Sequence, residues 1–107
     1  MIRHELSNTT LRFYTEPTDD PFAPYCAICS LIWEKPSIVW VRGLHGTLSR
    51  ALMHEMAQWL HSEGVVTIKA HRDTRHSLPF GRRTDDHVEV SIADLLMRWN
   101  LIEKAAR

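Results

Sequence analysis

The chain has 107 residues and thirteen basic and thirteen acidic side chains, so its formal net charge is zero. This length predicts one domain over residues 1–107. The charge balance excludes two classes of protein: strongly basic proteins that coat nucleic acid, and acidic proteins that mimic it. No apolar run approaches the ~18 residues that span a bilayer, and the first residues lack the apolar stretch of a signal peptide. We therefore expect a cytoplasmic protein with no membrane partner.

The N-terminal half predicts three strands. Leu11 and Phe13 alternate with polar neighbours and indicate the first strand, and the proline-rich stretch that follows indicates a loop. Residues 25–33 predict a second strand, and a tight connection over residues 34–37 joins it to a β-branched third strand at residues 38–41. The second and third strands should therefore form an antiparallel hairpin.

Cys26 and Cys29 form a Cys-x-x-Cys pair on the predicted second strand. A thioredoxin-like redox pair lies at the start of a helix, whereas on a strand these two positions face opposite ways. A structural zinc ion would need two more ligands, and no histidine pair follows at the spacing of a zinc finger. We expect two buried thiols that act as small apolar side chains, and no metal.

The period of the apolar residues changes after the third strand. Residues 42–46 predict a glycine-bearing loop, and residues 48–62 predict an amphipathic helix that Thr47 or Ser49 can cap. A glycine two residues later is placed to end the helix, and residues 65–70 predict a strand parallel to the third. The two histidines of this helix fall on its polar side, where we expect them to be solvated.

A strand that leads through glycines into a helix can form an anion site. The first backbone N–H groups of the helix have no partner within it, and they lie at its positive end. Gly43 and Gly46 would let a phosphate approach the backbone closely, and Arg42 or His45 could add positive charge. A plain turn is the alternative interpretation of the same pattern.

Residues 47–70 resemble the central motif of the GNAT superfamily, the acetyl-CoA-dependent GCN5-related N-acetyltransferases. In that family a loop of the form Gln/Arg-x-x-Gly-x-Gly/Ala leads into a helix that begins Arg-Ala-Leu, and a glycine and a strand follow. Here Ser49 takes the final Gly/Ala position, Arg50 begins Arg-Ala-Leu, and Gly64 follows fifteen residues after Ser49. Thr47 replaces the middle glycine of the family motif.

The resemblance implies a mixed α/β fold, an α+β mixed sheet with a central β-α-β unit, an antiparallel N-terminal hairpin and a C-terminal amphipathic helix. It also implies that acetyl-CoA lies where the third strand splays from the fourth, with its pyrophosphate on the start of the helix, and that the acyl group passes to an unidentified amine. The implied cofactor-binding residues are Val41, Arg42, Gly43, His45, Gly46, Thr47, Leu48 and Ser49. No catalytic residue follows from the resemblance, and Tyr25, Glu34 and His71 are candidates only by proximity to the cleft.

The C-terminal third predicts a polar loop over residues 71–86, an edge strand over residues 87–91, and a final amphipathic helix that Ser91 caps and that ends in Lys104 and Arg107. The chain has one local excess of positive charge, over residues 69–83, and most of this stretch lies in the predicted loop. The basic side chains in this stretch are Lys69, Arg72, Arg75, Arg82 and Arg83.

Three functions are compatible with these patterns. The first is a small acyl-CoA-binding N-acyltransferase. The second is an inactive interaction or regulatory protein on the same fold, with a protein partner or a second copy bound at an exposed strand edge. The third is a nucleic-acid-associated protein that uses residues 69–83, where stacking aromatic side chains are sparse.

Overall fold

The structure is a computed structural model that describes residues 1–2, 8–71 and 78–101. Its elements along the chain are the strands β1 (Asn8–Phe13), β2 (Ala27–Lys35) and β3 (Ile38–Gly46), the helix α1 (Arg50–Ser62), the strands β4 (Thr67–His71), β5 (Arg82–Arg83) and β6 (His87–Ser91), and the helix α2 (Ile92–Arg98). The six strands form one sheet in the order β1-β2-β3-β4-β6-β5.

The sheet is mixed. Strands β1, β2 and β3 form an antiparallel meander, β3 and β4 are parallel, and β6 runs antiparallel to both β4 and β5. The chain passes from β3 through α1 to β4, which confirms the predicted β-α-β unit and the antiparallel hairpin before it. The predicted mixed fold class is therefore correct. No helix in the described part of the chain is long and apolar enough to cross a membrane.

Both helices pack on one face of the sheet, which we call the covered face. Strand residues alternate between two faces, and every second residue of β2, β3, β4 and β6 enters the core beneath the helices. These buried strand residues include Leu31, Val39, Ile68 and Val90, which cluster with residues of both helices such as Leu60 and Leu96. The intervening residues, such as Ile32, Trp40 and Lys69, lie on the opposite face, which we call the open face.

The predicted loop over residues 42–46 is wrong, because this segment is the second half of β3. Its register on β2 shifts once, so that Gly43 and Leu44 both lie opposite Cys29, and Gly43 has a φ of +62°. This is a β-bulge with glycine in the left-handed region, which explains why the sequence has the pattern of a loop. The extra residue also turns Leu44 to the covered face.

The boundaries of α1 follow from its caps. Ser49, one of the two predicted caps, accepts a hydrogen bond from the Leu52 backbone N–H at 3.2 Å. Gly64 has a φ of +90°, as a helix terminator requires, and the Val65 N–H donates to the Leu60 carbonyl at 3.0 Å. Local signals were therefore sufficient to place this helix.

The predicted edge position of β6 is wrong. Strand β5 covers its outer side, with Arg82 opposite Glu89 and Arg83 opposite Val88. Two consecutive arginines within a polar stretch give no alternation of apolar residues, so the sequence pattern did not indicate β5. The final helix α2 ends at Arg98, and the remainder of its predicted span beyond residue 101 lies outside the described residues.

The predicted solvated position of His54 is wrong. Its ring packs on Trp99 of the segment after α2, with 4.4 Å between the ring centroids. The Nε2 atom is buried and has no hydrogen-bond partner within the described residues. The contact between α1 and α2 therefore covers part of the polar side of α1. His61, seven residues further along α1, is exposed, as predicted.

Candidate functional site

Strands β3 and β4 pair only at their first residues. Ile38, Val39 and Trp40 lie opposite Thr67, Ile68 and Lys69, and no further β3–β4 pair forms in the described residues. Beyond Trp40, β3 continues to its end, and β2 is its one strand partner among the described residues. The sheet therefore opens into a wedge on the C-terminal side of Trp40, at the position where the resemblance implied a splay.

The start of α1 lies beside this wedge. Ser49 is in an extended conformation and caps the helix, and the N–H groups of Arg50 and Ala51 have no acceptor within the helix. No acidic side chain lies in the first turn, so its positive end is not neutralised there. The Thr47 N–H, in contrast, donates to the Cys26 carbonyl at 3.1 Å, and it is used by the fold.

An apolar cleft lies on the covered face between the parted strands. Its volume is about 100 Å³, and its lining comes from β3, β4, β6, both helices and residues 78–79. Val41, Gly43 and Leu48, three of the predicted cofactor-binding residues, are part of this lining. A Cβ atom at Gly43 would meet nothing within 4 Å, so the space beside it is open.

A wider groove lies on the other side of the helix start. It has a volume of about 750 Å³ and runs between the end of β1 and the first turns of α1. Thr47 and Ser49 line it together with polar side chains that include Arg12, Tyr14 and Glu55. The helix start therefore borders both an apolar cleft and a groove large enough for a small ligand.

Gly46 has a role that differs from the one the loop pattern suggested. Its φ is +93°, and a Cβ atom there would lie 2.8 Å from the Ala27 Cα and would also clash with the Cys26 carbonyl. The close approach of β2 therefore requires glycine at this position. The other two predicted residues of this strand end, Arg42 and His45, are exposed.

A polar cluster surrounds Trp40 on the open face, at the base of the wedge. The indole N–H of Trp40 donates to Glu34 Oε1 at 2.9 Å, and Lys69 Nζ lies 3.2 Å from the same oxygen and 5.5 Å from the Trp40 ring centroid. The rings of His71 and His87 lie 5.1 and 5.3 Å from the Trp40 ring. The hydrogen bonds from Trp40 and Lys69 lower the pKa of Glu34.

His87 has a carboxylate at each ring nitrogen. Its Nδ1 lies 2.7 Å from Asp86 Oδ1, and its Nε2 lies 2.9 Å from Glu89 Oε1. The hydrogen bonds with Glu89 and Asp86 raise the pKa of His87. The hydrogen bonds that Asp86 accepts from His87 and Thr84 lower the pKa of Asp86.

No sequence pattern indicates that His87 belongs to this cluster. His71 and His87 are direct partners in the β4–β6 register, which places both rings against Trp40. A histidine on each of two strands was visible in the sequence, but their register depends on a pairing that no local pattern gives.

The three candidate acid–base residues lie in two places. Glu34 and His71 both belong to the Trp40 cluster. Tyr25 lies just before β2, half-exposed, and its ring centroid is 5.8 Å from the Arg12 guanidinium carbon. The structure therefore brings together two of the three candidates.

The basic stretch is partly neutralised where the structure describes it. Lys69 pairs with Glu34 at 3.2 Å, and Arg82 Nη2 lies 3.9 Å from Glu89 Oε2. Arg72 and Arg75 lie outside the described residues. Where the structure describes this stretch, Lys69 and Arg82 therefore each have a carboxylate partner.

Both cysteines are free thiols. Cys29 is buried on the covered face, and burial raises its pKa to about 11. Cys26 is half-buried, and its thiol donates to the Phe13 carbonyl at 3.3 Å. Among the residues the structure describes, no group of three or more His, Cys, Asp or Glu side chains is arranged to hold a metal ion.

The fold is similar to that of the crystal structure of Tetrahymena GCN5. The TM-score is 0.54 at 12% sequence identity, over 82% of this chain and 70% of that chain. The GNAT superfamily takes its name from GCN5. The structural similarity to GCN5 therefore shows that this chain has a GNAT-like fold. No protein-family model and no curated protein matches the sequence.

Proposed function

We propose that this chain binds an acyl-coenzyme A in the wedge between β3 and β4. The observation that carries the proposal is the parting of these parallel strands after Trp40, directly beside the unneutralised N-terminus of α1. A thioester that ends in a nucleotide needs both features, because it has a narrow amide-containing arm and a charged pyrophosphate. The GNAT-like fold supports the same assignment.

The residues around the wedge fit such a ligand. The N–H groups of Arg50 and Ala51 and the positive end of the helix suit the pyrophosphate. Within the described ranges, the β3 backbone from Val41 to Gly43 has no strand partner on its β4 side, so it can pair with the amides of the pantetheine arm. The groove beside Ser49 has room for the nucleoside end. Thr47 contributes no free N–H, so the site uses fewer amides than the loop motif suggests.

We propose further that the acyl group is transferred to an amine that approaches from the open face. The amine nitrogen attacks the thioester carbonyl carbon, a C–N bond forms, and the C–S bond breaks. His71 takes up the proton that the amine loses and returns it through water to the departing thiolate, which leaves as the thiol. We assign this role to His71 rather than to Glu34, because Glu34 has a lowered pKa and an ion pair with Lys69 to maintain.

Substitutions at the helix cap test the binding proposal. Ser49→Asp preserves a good N-cap but places a negative charge where the pyrophosphate would lie, and Ser49→Asn is the matched neutral cap. In calorimetric titrations with coenzyme A we expect Ser49→Asn to retain binding and Ser49→Asp to weaken it at least about tenfold, with unchanged or higher thermal stability. No heat and no thermal shift for the unmodified chain at millimolar ligand would refute the proposal.

A binding protein without transferase activity is the second candidate. The side chain of Thr47 at the family's middle glycine position, with its N–H donated to Cys26, favours this alternative. The two candidates differ in one assay, the release of free thiol from a bound acyl-CoA in the presence of a panel of primary amines. Turnover that falls in His71→Gln, with binding retained, supports transfer, whereas binding without any turnover supports the second candidate.

A further inference from the structure

The cleft on the covered face is lined by apolar groups. Its deep end is formed by core residues, among them Ala57 of α1, Ile68 of β4 and Leu95 of α2, which are at most 4% exposed. Leu44 and Leu78 belong to the same lining and are half-buried. Among the residues that the structure describes, no side chain that can carry a charge is part of the lining.

The size of the cleft suits a small apolar guest. Its volume of about 100 Å³ is of the same order as an engineered cavity of about 150 Å³ that stays dry and binds benzene. A site with these properties gains little from an acetyl methyl group alone and more from a longer hydrocarbon chain. The space corresponds to an acyl tail of about four to six carbons.

The cleft also lies where an acyl tail would reach. Gly43 and Leu48 connect its lining to the helix start, and Val41 and Ala70 line it from the two parted strands just beyond the last β3–β4 pair. A thioester held by its pyrophosphate at the helix start and by its arm along β3 therefore carries its acyl end to this apolar space.

We infer that the acyl donor has an apolar tail of about four to six carbons, rather than acetyl, and that the covered-face cleft selects it. This inference rests on the proposed function, because the tail is positioned by the rest of the acyl-CoA. Each methylene buried in the cleft should tighten binding about fourfold, until the tail fills the available space.

The test is a calorimetric series with coenzyme A and its acetyl, butyryl, hexanoyl and decanoyl thioesters. We expect affinity to rise from acetyl to hexanoyl by at least about tenfold and to rise no further for decanoyl. Equal affinity across the series, with coenzyme A itself bound, would overturn the inference and leave the proposed function intact. No binding of any member would overturn both.

Two variants show whether this cleft is the selective element. Ala70→Leu adds three carbons to the lining from β4, and we expect it to reduce the preference for hexanoyl over acetyl to about onefold to twofold. Leu78→Ala enlarges the cleft at a half-buried position, and we expect the optimal chain to lengthen. If Ala70→Leu does not fold, Leu78→Ala still tests whether the cleft selects the acyl chain. An unchanged optimal chain length in a folded Leu78→Ala protein would contradict the inference.

Discussion

The two faces of the sheet have different chemistry. On the covered face, side chains such as Leu31, Val39 and Ile68 are at most 4% exposed and contact the helices, so the interactions there are apolar and non-directional. On the open face, Trp40 and Lys69 are only partly covered and make directional contacts with Glu34. The covered face therefore holds the fold together, while the open face can change its charges at little cost to stability.

The wedge is where the two faces meet. Val41 lines the apolar cleft, and Trp40, the residue before it, forms the centre of the open-face cluster. Because neighbouring residues of a strand point to opposite faces, one parted strand exposes both environments to the same ligand. The donor can lie against the apolar face while an acceptor meets the polar one.

The largest expected loss of stability follows from a substitution on the covered face of the sheet. Leu31→Ala removes a fully buried side chain from the covered face and should lower the free energy of unfolding by about 3 kcal/mol. Its neighbour Ser30 lies on the open face, so Ser30→Ala should change this free energy by less than about 0.5 kcal/mol. Urea denaturation of both variants measures the difference, and similar losses would contradict the assignment of the faces.

The second-largest loss of stability is expected for glycine substitutions in the second half of β3. Gly46→Ala places a Cβ atom 2.8 Å from the Ala27 Cα in a positive-φ position, and we expect a loss of about 2–3 kcal/mol. Gly43→Ala has the same backbone restriction but open space, so the expected loss is about 1 kcal/mol. Denaturation midpoints compare the two, and an equal cost would mean that packing against β2 does not distinguish these glycines.

A smaller effect is expected for the ion pair on the open face. Lys69→Met removes the ammonium group beside Glu34, and the pair is partly exposed, so stability should change by less than about 1 kcal/mol. The pKa of Glu34 should rise, because Lys69 is one of the groups that lower it. Carboxyl chemical shifts followed by NMR during a pH titration report this change, and an unmoved titration would show that Lys69 does not act on Glu34.

The smallest expected effect is a dependence of stability on pH at His87. Its pKa is raised, so its contribution is fully present below its ordinary value of 6.5 and is lost as pH rises through the folded-state value. The pKa of Asp86 is lowered, so its contribution is present above its ordinary value of 3.8 and is lost as pH falls through the folded-state value. Both contributions are therefore present between 3.8 and 6.5.

The measurement is the difference in Tm between the unmodified chain and His87→Gln as a function of pH. We expect this difference to be largest near about pH 5 and to shrink toward about pH 9. His61→Gln, at an exposed position of α1, is the control and should show no such trend. A difference that grows with pH would contradict the contacts of His87 with its two carboxylates.

Local patterns were enough to predict the fold class but not the details of the site. The caps of α1 and the parallel relation of β3 and β4 follow from residues close together in the sequence, such as Ser49 and Gly64. The glycines of this segment predict a loop rather than the bulge at Gly43, because a positive φ favours glycine in loops and in bulges alike. The strand pairing that brings His71 to His87 is long-range, and β5 is too short and too polar to give a periodic signal.

The extra residue at the Gly43 bulge also determines how the length of β3 can change. Insertion or deletion of one residue between Val41 and Gly46 would exchange the faces of every later strand position, so that Leu44 would leave the helices and His45 would enter beneath them. A change of two residues keeps the alternation intact. Homologous chains that retain this architecture should therefore differ in length here by even numbers.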